Sequence, residues 1–204
     1  MLLVAIDGPA GSGKSTVAKA LARRLDVAYL DTGAMYRAVA YAALREGVDP
    51  ADADAVAQVA QAIEVDVAER VVVDGVDATT SVRSPEVNRT VSTVAANPNV
   101  RAEMVRRQRA WAARHGGGVI EGRDIGTVVF PEAPLKVYLT ARDDVRAARR
   151  HEERDVARRD RLDTNRSVSP LLPAHDALVV DTSDMTVDEV VERVMDALAE
   201  RRVR

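Results

Sequence analysis

Cysteine is absent from the 204 residues, which excludes disulfides and thiolate-held metals. Long apolar runs are missing too. No stretch reaches the ~18 residues of a membrane-spanning helix, so no membrane span is expected. The chain enters an apolar strand at once, with no leader of charged, apolar and small residues, and the cytoplasm is the default compartment. Lysine occurs only at Lys14, Lys19 and Lys136; arginine carries the other positive charges. The net charge of −3 gives no general attraction to nucleic acid or to an anionic membrane. No repeat or low-complexity tract appears. The three histidines, His115, His151 and His175, show no pairing pattern and read as surface or structural.

What is present fits one α/β domain with a core of its own: 47% of residues are hydrophobic and 30% charged. Leu2 to Asp7 is an apolar run suited to a buried strand. Gly8-Pro9-Ala10-Gly11-Ser12-Gly13-Lys14-Ser15 follows, then Thr16 to Leu25 with Val17, Ala18, Leu21 and Leu25 at helical spacing. The eight residues match G-x-x-x-x-G-K-[ST], and strand, loop and helix stand in the order that pattern needs. Glycines let the backbone close on a phosphate without Cβ clashes. Successive N–H groups then point inward at the positive end of a helix. Residues Gly8 to Thr16 therefore read as a nucleoside triphosphate site. Lys14 supplies a charge for the terminal phosphates, and Ser15 a hydroxyl for Mg²⁺. The loop does not say what receives the phosphate.

Further along, Val27 to Leu30 is a short apolar stretch that leads into Asp31-Thr32-Gly33 and a helix ending near Gly47. Asp49-Pro50 predicts the start of the next helix, with Asp as cap. Glu64 to Asp77 alternates and is rich in valine. With Asp74-Gly75 as a turn, it predicts a small antiparallel hairpin inserted into the β/α pattern. Ser84-Pro85 opens a helix broken at Asn97-Pro98, and a longer one runs to His115 before Gly116-Gly117-Gly118. Val119 to Glu121, Leu135 to Leu139 and Ala177 to Val180 read as strands. Asp143 to about Asp163 reads as a charged helix, and Thr186 with Glu189 as the capping box of the last helix. Five apolar strands alternating with helices argue for a parallel sheet, with ligands at its carboxyl edge.

Arg37, Arg101, Arg123 with Asp124, and the group Arg159, Asp160, Asp163 and Arg166 fall just past strand ends or in loops. Transfer of a phosphoryl group between two phosphates needs cations more than a base, because the acceptor is already anionic. Blander readings stand beside this one. Arg37 alone fits a helix surface, and Arg101 shares its helix with Arg106, Arg107 and Arg109, most of them solvated. Within the charged stretch, Arg146, Arg149, Arg150 and Glu152 read as an exposed face laced with ion pairs. Arg149→Ala is accordingly expected to do little.

These residues carry a resemblance. The chain resembles bacterial cytidylate (CMP) kinases from end to end. The pieces that match are Ile6 to Ser15, Asp31-Thr-Gly-Ala-Met-Tyr-Arg37, Val100-Arg101, Glu121-Gly-Arg-Asp-Ile-Gly-Thr-Val-Val-Phe-Pro131, and Arg159-Asp-x-x-Asp163-x-x-Arg166 with Pro170-Leu171. The resemblance implies a P-loop kinase fold: a five-stranded parallel sheet flanked by helices, a small antiparallel insertion and a short lid. It implies one domain over 1–204, with a monophosphate-binding insertion at about 37–100 and the lid at about 143–166. It implies ATP-dependent phosphorylation of CMP and dCMP with Mg²⁺, by a monomer that uses no nucleic acid. Cytosine contacts would fall on Thr32, Ser92, Arg101 and Asp124, and acceptor-phosphate contacts on Arg37, Arg123 and Arg166. Asp163, supported by Arg159, would hold the ribose. The catalytic set is then Lys14, Arg123, Arg159 and Arg166. Glu121 stands where many members have aspartate, a longer acid that reaches toward Mg²⁺ through water. Thr32 replaces a common serine and keeps the hydroxyl. The segment from Arg150 to Arg159 is shorter than in longer members. The rival readings are a kinase for another nucleoside monophosphate such as UMP, and a nucleotide-gated ATPase switch. The chain has no Asn-Lys-x-Asp motif of a guanine-reading switch.

Overall fold

A computed structural model describes residues 2–150 and 169–202. The chain divides into two compact units, Met1–Leu30 with Ala112–Arg204, and Asp31–Trp111.

The first unit is built on a five-stranded parallel sheet flanked by helices. Its strands are β1 (Leu2–Asp7), β2 (Tyr29–Asp31), β6 (Gly117–Glu121), β7 (Leu135–Thr140) and β8 (Leu178–Asp181), in the order β2-β6-β1-β7-β8. β1 is buried almost throughout, as its unbroken apolar run requires of a central parallel strand. Its register runs Val4 against Val119 on one side and Leu135 on the other. Helices α1 (Lys14–Leu25) and α7 (Val187–Arg202) cover the sheet through Val17, Leu21, Val190, Val194 and Leu198. With one Phe and one Trp in the chain, this core is aliphatic: Val4, Ile6, Val119, Val137 and Leu139 fill it. Each such side chain contributes about 1.5–3 kcal/mol on full burial. Helix α6 (Asp143–Arg150) follows β7 closely.

The second unit holds α2 (Thr32–Arg45), α3 (Ala53–Ala62), α4 (Pro85–Ala96) and most of α5 (Pro98–His115). It also holds a three-stranded antiparallel sheet of β3 (Val65–Val67), β4 (Val71–Val73) and β5 (Val76–Asp77). Asp74 and Gly75 turn between β4 and β5 with φ of 50° and 77°, the doubly positive pair that a tight hairpin demands. The expected hairpin thus has a third strand.

Other boundaries differ from the sequence reading for local reasons. Helix α3 starts at Ala53, capped by Asp52, whose carboxylate accepts from Ala55 N at 3.0 Å. Asp49 instead closes a separate turn, accepting from Ala51 N at 2.9 Å. Strand β6 begins inside the glycine run, where Gly117 and Gly118 pair with Leu2 and Leu3. After it, Ile125–Val129 forms one π-helical turn that no periodicity announced. The capping box is present: Glu189 N donates to Thr186 Oγ1 at 3.3 Å, and Thr186 N to Glu189 Oε2 at 2.8 Å.

Two of the three lysines are tied into the frame of the first unit. Lys136 is buried and pairs with Asp176 at 3.0 Å. Lys19 lies 5.5 Å from the centre of the Tyr29 ring. Among the described residues no helix is long and apolar enough to cross a membrane.

Candidate active site

Because the sheet is parallel, the loops after β1, β6, β7 and β8 leave from one edge. The loop after β1 is the motif of Gly8 to Ser15. Gly8 has φ of 148°, and a Cβ there would lie 2.0 Å from the Leu139 carbonyl oxygen. Gly11 and Gly13 are left-handed, at 77° and 87°, and Gly13 caps α1. These three positions need glycine, for space at the first and for conformation at the others. The buried Lys14 donates from Nζ to the Pro9 carbonyl at 2.8 Å. A cavity of about 430 Å³ opens against Gly11 to Val17, and Arg149, Thr182, Met185 and Val190 line its far wall.

Ser15 Oγ donates to Glu121 Oε2 at 3.0 Å, and the Tyr29 hydroxyl donates to Glu121 Oε1. Glu121 thus ends β6 with its carboxylate held beside the hydroxyl proposed for the metal. Two oxygen ligands of this kind suit a hard divalent cation such as Mg²⁺. Among the described residues no cluster of three or more His, Cys, Asp or Glu gathers, so such an ion would draw most of its ligands from phosphates and water.

Arg123 reaches back to the loop, Nη1 donating to the Gly8 carbonyl at 3.1 Å. Asp124 is buried and precedes the π-helical turn. That turn is fastened by Asp7, whose carboxylate accepts from Ile125 N at 2.8 Å and Gly126 N at 2.7 Å. Burial pushes the Asp7 carboxyl up to about 6 and the Asp124 charge adds to this; the two amides and Lys14 pull the other way.

In the second unit Thr32, Ser92 and Arg101 are all buried. Arg37 donates to Asn88 Oδ1 at 3.4 Å, linking α2 to α4. Ser92 lies one turn beyond Asn88 on the same side of α4. The Arg101 guanidinium sits 5.5 Å from the centre of the Tyr36 ring and donates to the Ala95 carbonyl at 3.2 Å. Helix α2 therefore meets both Arg101 and the Ser92 side of α4. Arg159, Asp163 and Arg166 lie outside the described residues.

One expectation is corrected in part. Arg146 is largely covered rather than solvated, and Arg149, though exposed, is tied to the loop. Arg146 donates to the Ala10 carbonyl at 3.1 Å besides pairing with Asp143 at 2.6 Å. Arg149 donates to Gly11 O at 3.4 Å, Thr182 Oγ1 at 2.9 Å and Thr182 O at 2.8 Å. The α6 backbone lies against the loop, and a Cβ on Gly11 would meet Arg146 O at 2.6 Å. Sequence reasoning also passed over Asp7, Tyr29, Asn88 and Thr182. Asp7 had a signal, a charge at the end of a buried strand. Thr182 had none.

A central parallel strand that feeds a glycine loop, a helix N-terminus, a lysine and a hydroxyl backed by an acid defines a P-loop nucleotide-binding enzyme. The chain belongs to the cytidylate kinase family, whose model matches residues 4–200, and is thus an enzyme of the kinase class. It is 48% identical to "Cytidylate kinase" of Mycobacterium avium (strain 104), covering 98% of this chain and 96% of that protein. It is 47% identical to "Cytidylate kinase" of Desulfitobacterium hafniense (strain Y51), covering 95% and 91%. The match to the Mycobacterium avium protein spans 219 positions, more than the 204 of this chain, so that relative has residues without counterpart here. Among solved structures, TT1252 from Thermus thermophilus shares the fold, with a TM-score of 0.52 at 18% identity over 98% of this chain and 96% of that one.

Proposed function

We propose that the chain transfers the terminal phosphate of ATP to CMP or dCMP, giving CDP or dCDP, as a cytoplasmic monomer in pyrimidine nucleotide metabolism. The family match over residues 4–200 carries this reading. Residues Gly8 to Thr16 bind the donor phosphates. An oxygen of the acceptor monophosphate attacks the γ-phosphorus, the bond from that phosphorus to the β,γ-bridging oxygen breaks, and the electron pair leaves on ADP. No protein base is needed, because the nucleophile is already anionic.

Lys14 and Arg123 stabilise the charge that moves between phosphates. Both already lie on the loop's backbone, at the Pro9 and Gly8 carbonyls. Arg37 and Arg166 hold the acceptor phosphate. Thr32, Ser92, Arg101 and Asp124 read the cytosine, and Asp163 with Arg159 holds the ribose. Mg²⁺ would be held by Ser15, with Glu121 acting through its water ligands, and would neutralise phosphate charge when bound. The pairing of Ser15 with Glu121 at 3.0 Å supports this assignment.

The test is ADP release from ATP with CMP, dCMP, UMP and AMP as acceptors. Turnover highest with CMP and dCMP is the expected result. Equal turnover without any acceptor would favour the ATPase switch, and a preference for UMP or AMP would move the acceptor reading.

A further inference from the structure

The carbonyl oxygens of the phosphate loop carry a pattern that family membership does not use. From Gly8 to Ser12 each receives a side-chain donor. Arg123 serves Gly8, Lys14 serves Pro9, Arg146 serves Ala10, Arg149 serves Gly11 and Thr182 serves Ser12. The Gly13 carbonyl then accepts from Val17 N at 3.0 Å, the first turn of α1. A trans peptide sets each C=O opposite the N–H of the following residue. Whatever holds a carbonyl outward therefore holds the next amide inward. Thr182, by binding the Ser12 carbonyl, sets the direction of the Gly13 N–H.

Thr182 is placed for this and little else. It is 3% exposed and sits just past β8. Its backbone N–H donates to Thr140 O at 2.8 Å. Its hydroxyl has Ser12 O at 3.0 Å and Thr140 O at 3.1 Å within reach, and accepts from Arg149 Nη1 at 2.9 Å. That donation occupies a lone pair and leaves the hydroxyl proton for the carbonyls. Arg149 Nη2 also binds Thr182 O at 2.8 Å, so the guanidinium grips this residue twice.

We propose that Thr182 and Arg149 are positioning residues for donor-phosphate binding, Thr182 aiming the loop's amides and Arg149 locking Thr182 in place. The proposal rests on the reading of Gly8 to Thr16 as the donor-phosphate site. Thr182 acts through the backbone rather than on phosphate itself, because its hydroxyl is directed at the Ser12 and Thr140 carbonyls.

The experiment is calorimetric binding of inorganic triphosphate and of ATP to the full chain, with steady-state KM for ATP and CMP. Thr182→Val keeps the shape and removes the hydroxyl. It should weaken triphosphate and ATP alike, by roughly tenfold, the scale of one lost hydrogen bond. KM for CMP should stay put. Thr182→Ser should restore wild-type affinity. Arg149→Lys keeps the charge but cannot span Gly11 and Thr182, so it should also weaken triphosphate. The double variant Thr182→Val with Arg149→Lys should be weaker than either single one but short of the summed losses, because Arg149 acts partly through Thr182 and partly through its own bond to the Gly11 carbonyl.

Wild-type triphosphate affinity in Thr182→Val overturns the proposal, as does full additivity in the double variant. If Thr182→Val does not fold, Arg149→Lys decides: undiminished affinity overturns the role. A wild-type chain that binds neither triphosphate nor ATP removes the reading of the loop itself, a failure distinct from that of these two residues.

Discussion

Single residues in the site do separable jobs. Lys14 is the one lysine in the loop, and its charge counts most while charge is moving between phosphates. Lys14→Ala should lower kcat by at least about a hundredfold and leave the melting temperature nearly unchanged, as steady-state assay and calorimetric melting would check. Asp124 is buried and is assigned to the cytosine edge. A site built to hydrogen-bond a polar edge leaves groups unpaired with the wrong base, which can cost several powers of ten. Asp124→Ala should therefore lose more kcat/KM on CMP than on UMP; equal losses would make Asp124 structural. Asp7 gives a pH signature. Its carboxyl is raised to about 6 in the fold from the ordinary aspartate value of 3.8, by burial first. The folded chain binds that proton more tightly than the unfolded one. This group's contribution to stability is full below the unfolded value and is lost as pH rises through about 6. The difference amounts to about 3 kcal/mol. Asp7→Asn should flatten that component of the stability profile between about pH 4 and 6, read from denaturant midpoints at each pH.

At the level of elements, caps and turn residues decided what could be read in the chain. The strand, loop and helix around Gly8 to Ser15 were legible because local sterics dictate them, as the 2.0 Å approach of Leu139 O to a Gly8 Cβ illustrates. Ser84 and Thr186 were legible as caps because each accepts from a backbone N–H three residues on. Asp49-Pro50 misled because a second aspartate, Asp52, stands three residues later and does the capping. Asp52→Ala should cost about 1 kcal/mol of stability and Asp49→Ala less, which urea denaturation of the two variants would resolve. Helix α6 was read only in part: Arg149 is exposed and Arg146 pairs with Asp143, but their loop contacts were missed. Its alternating charges satisfy the pattern of an exposed face, yet Arg146 and Arg149 are spent on loop carbonyls. Periodicity reports which residues share a face, never what lies against it. Thr182 reaches Ser12 across 170 positions of sequence, a contact that only the sheet order creates.

For the molecule as a whole, the division at Trp111 and Ala112 was invisible in the sequence because it falls inside α5, whose helix runs unbroken from Pro98 to His115. No linker composition marks it. Ligand binding offers a test at this scale. At roughly a hundredfold excess over Kd, a ligand that binds only the folded state adds about 2.7 kcal/mol. For a chain of this length that is a rise of roughly 5–10 °C in Tm. ATP with Mg²⁺ should produce it in the wild type and largely fail to in Lys14→Ala, by thermal scanning. The scarcity of lysine has a practical outcome of another kind. Lys14 and Lys136 are both buried, at 9% and 5% exposure, and only Lys19 stands in solvent, on α1 beside Tyr29. To an amine-directed reagent the folded chain therefore offers a single lysine besides its α-amino group. An acylating dye then finds two amines, the α-amino group and Lys19, and acylation of Lys14 becomes a clock for local opening of the loop.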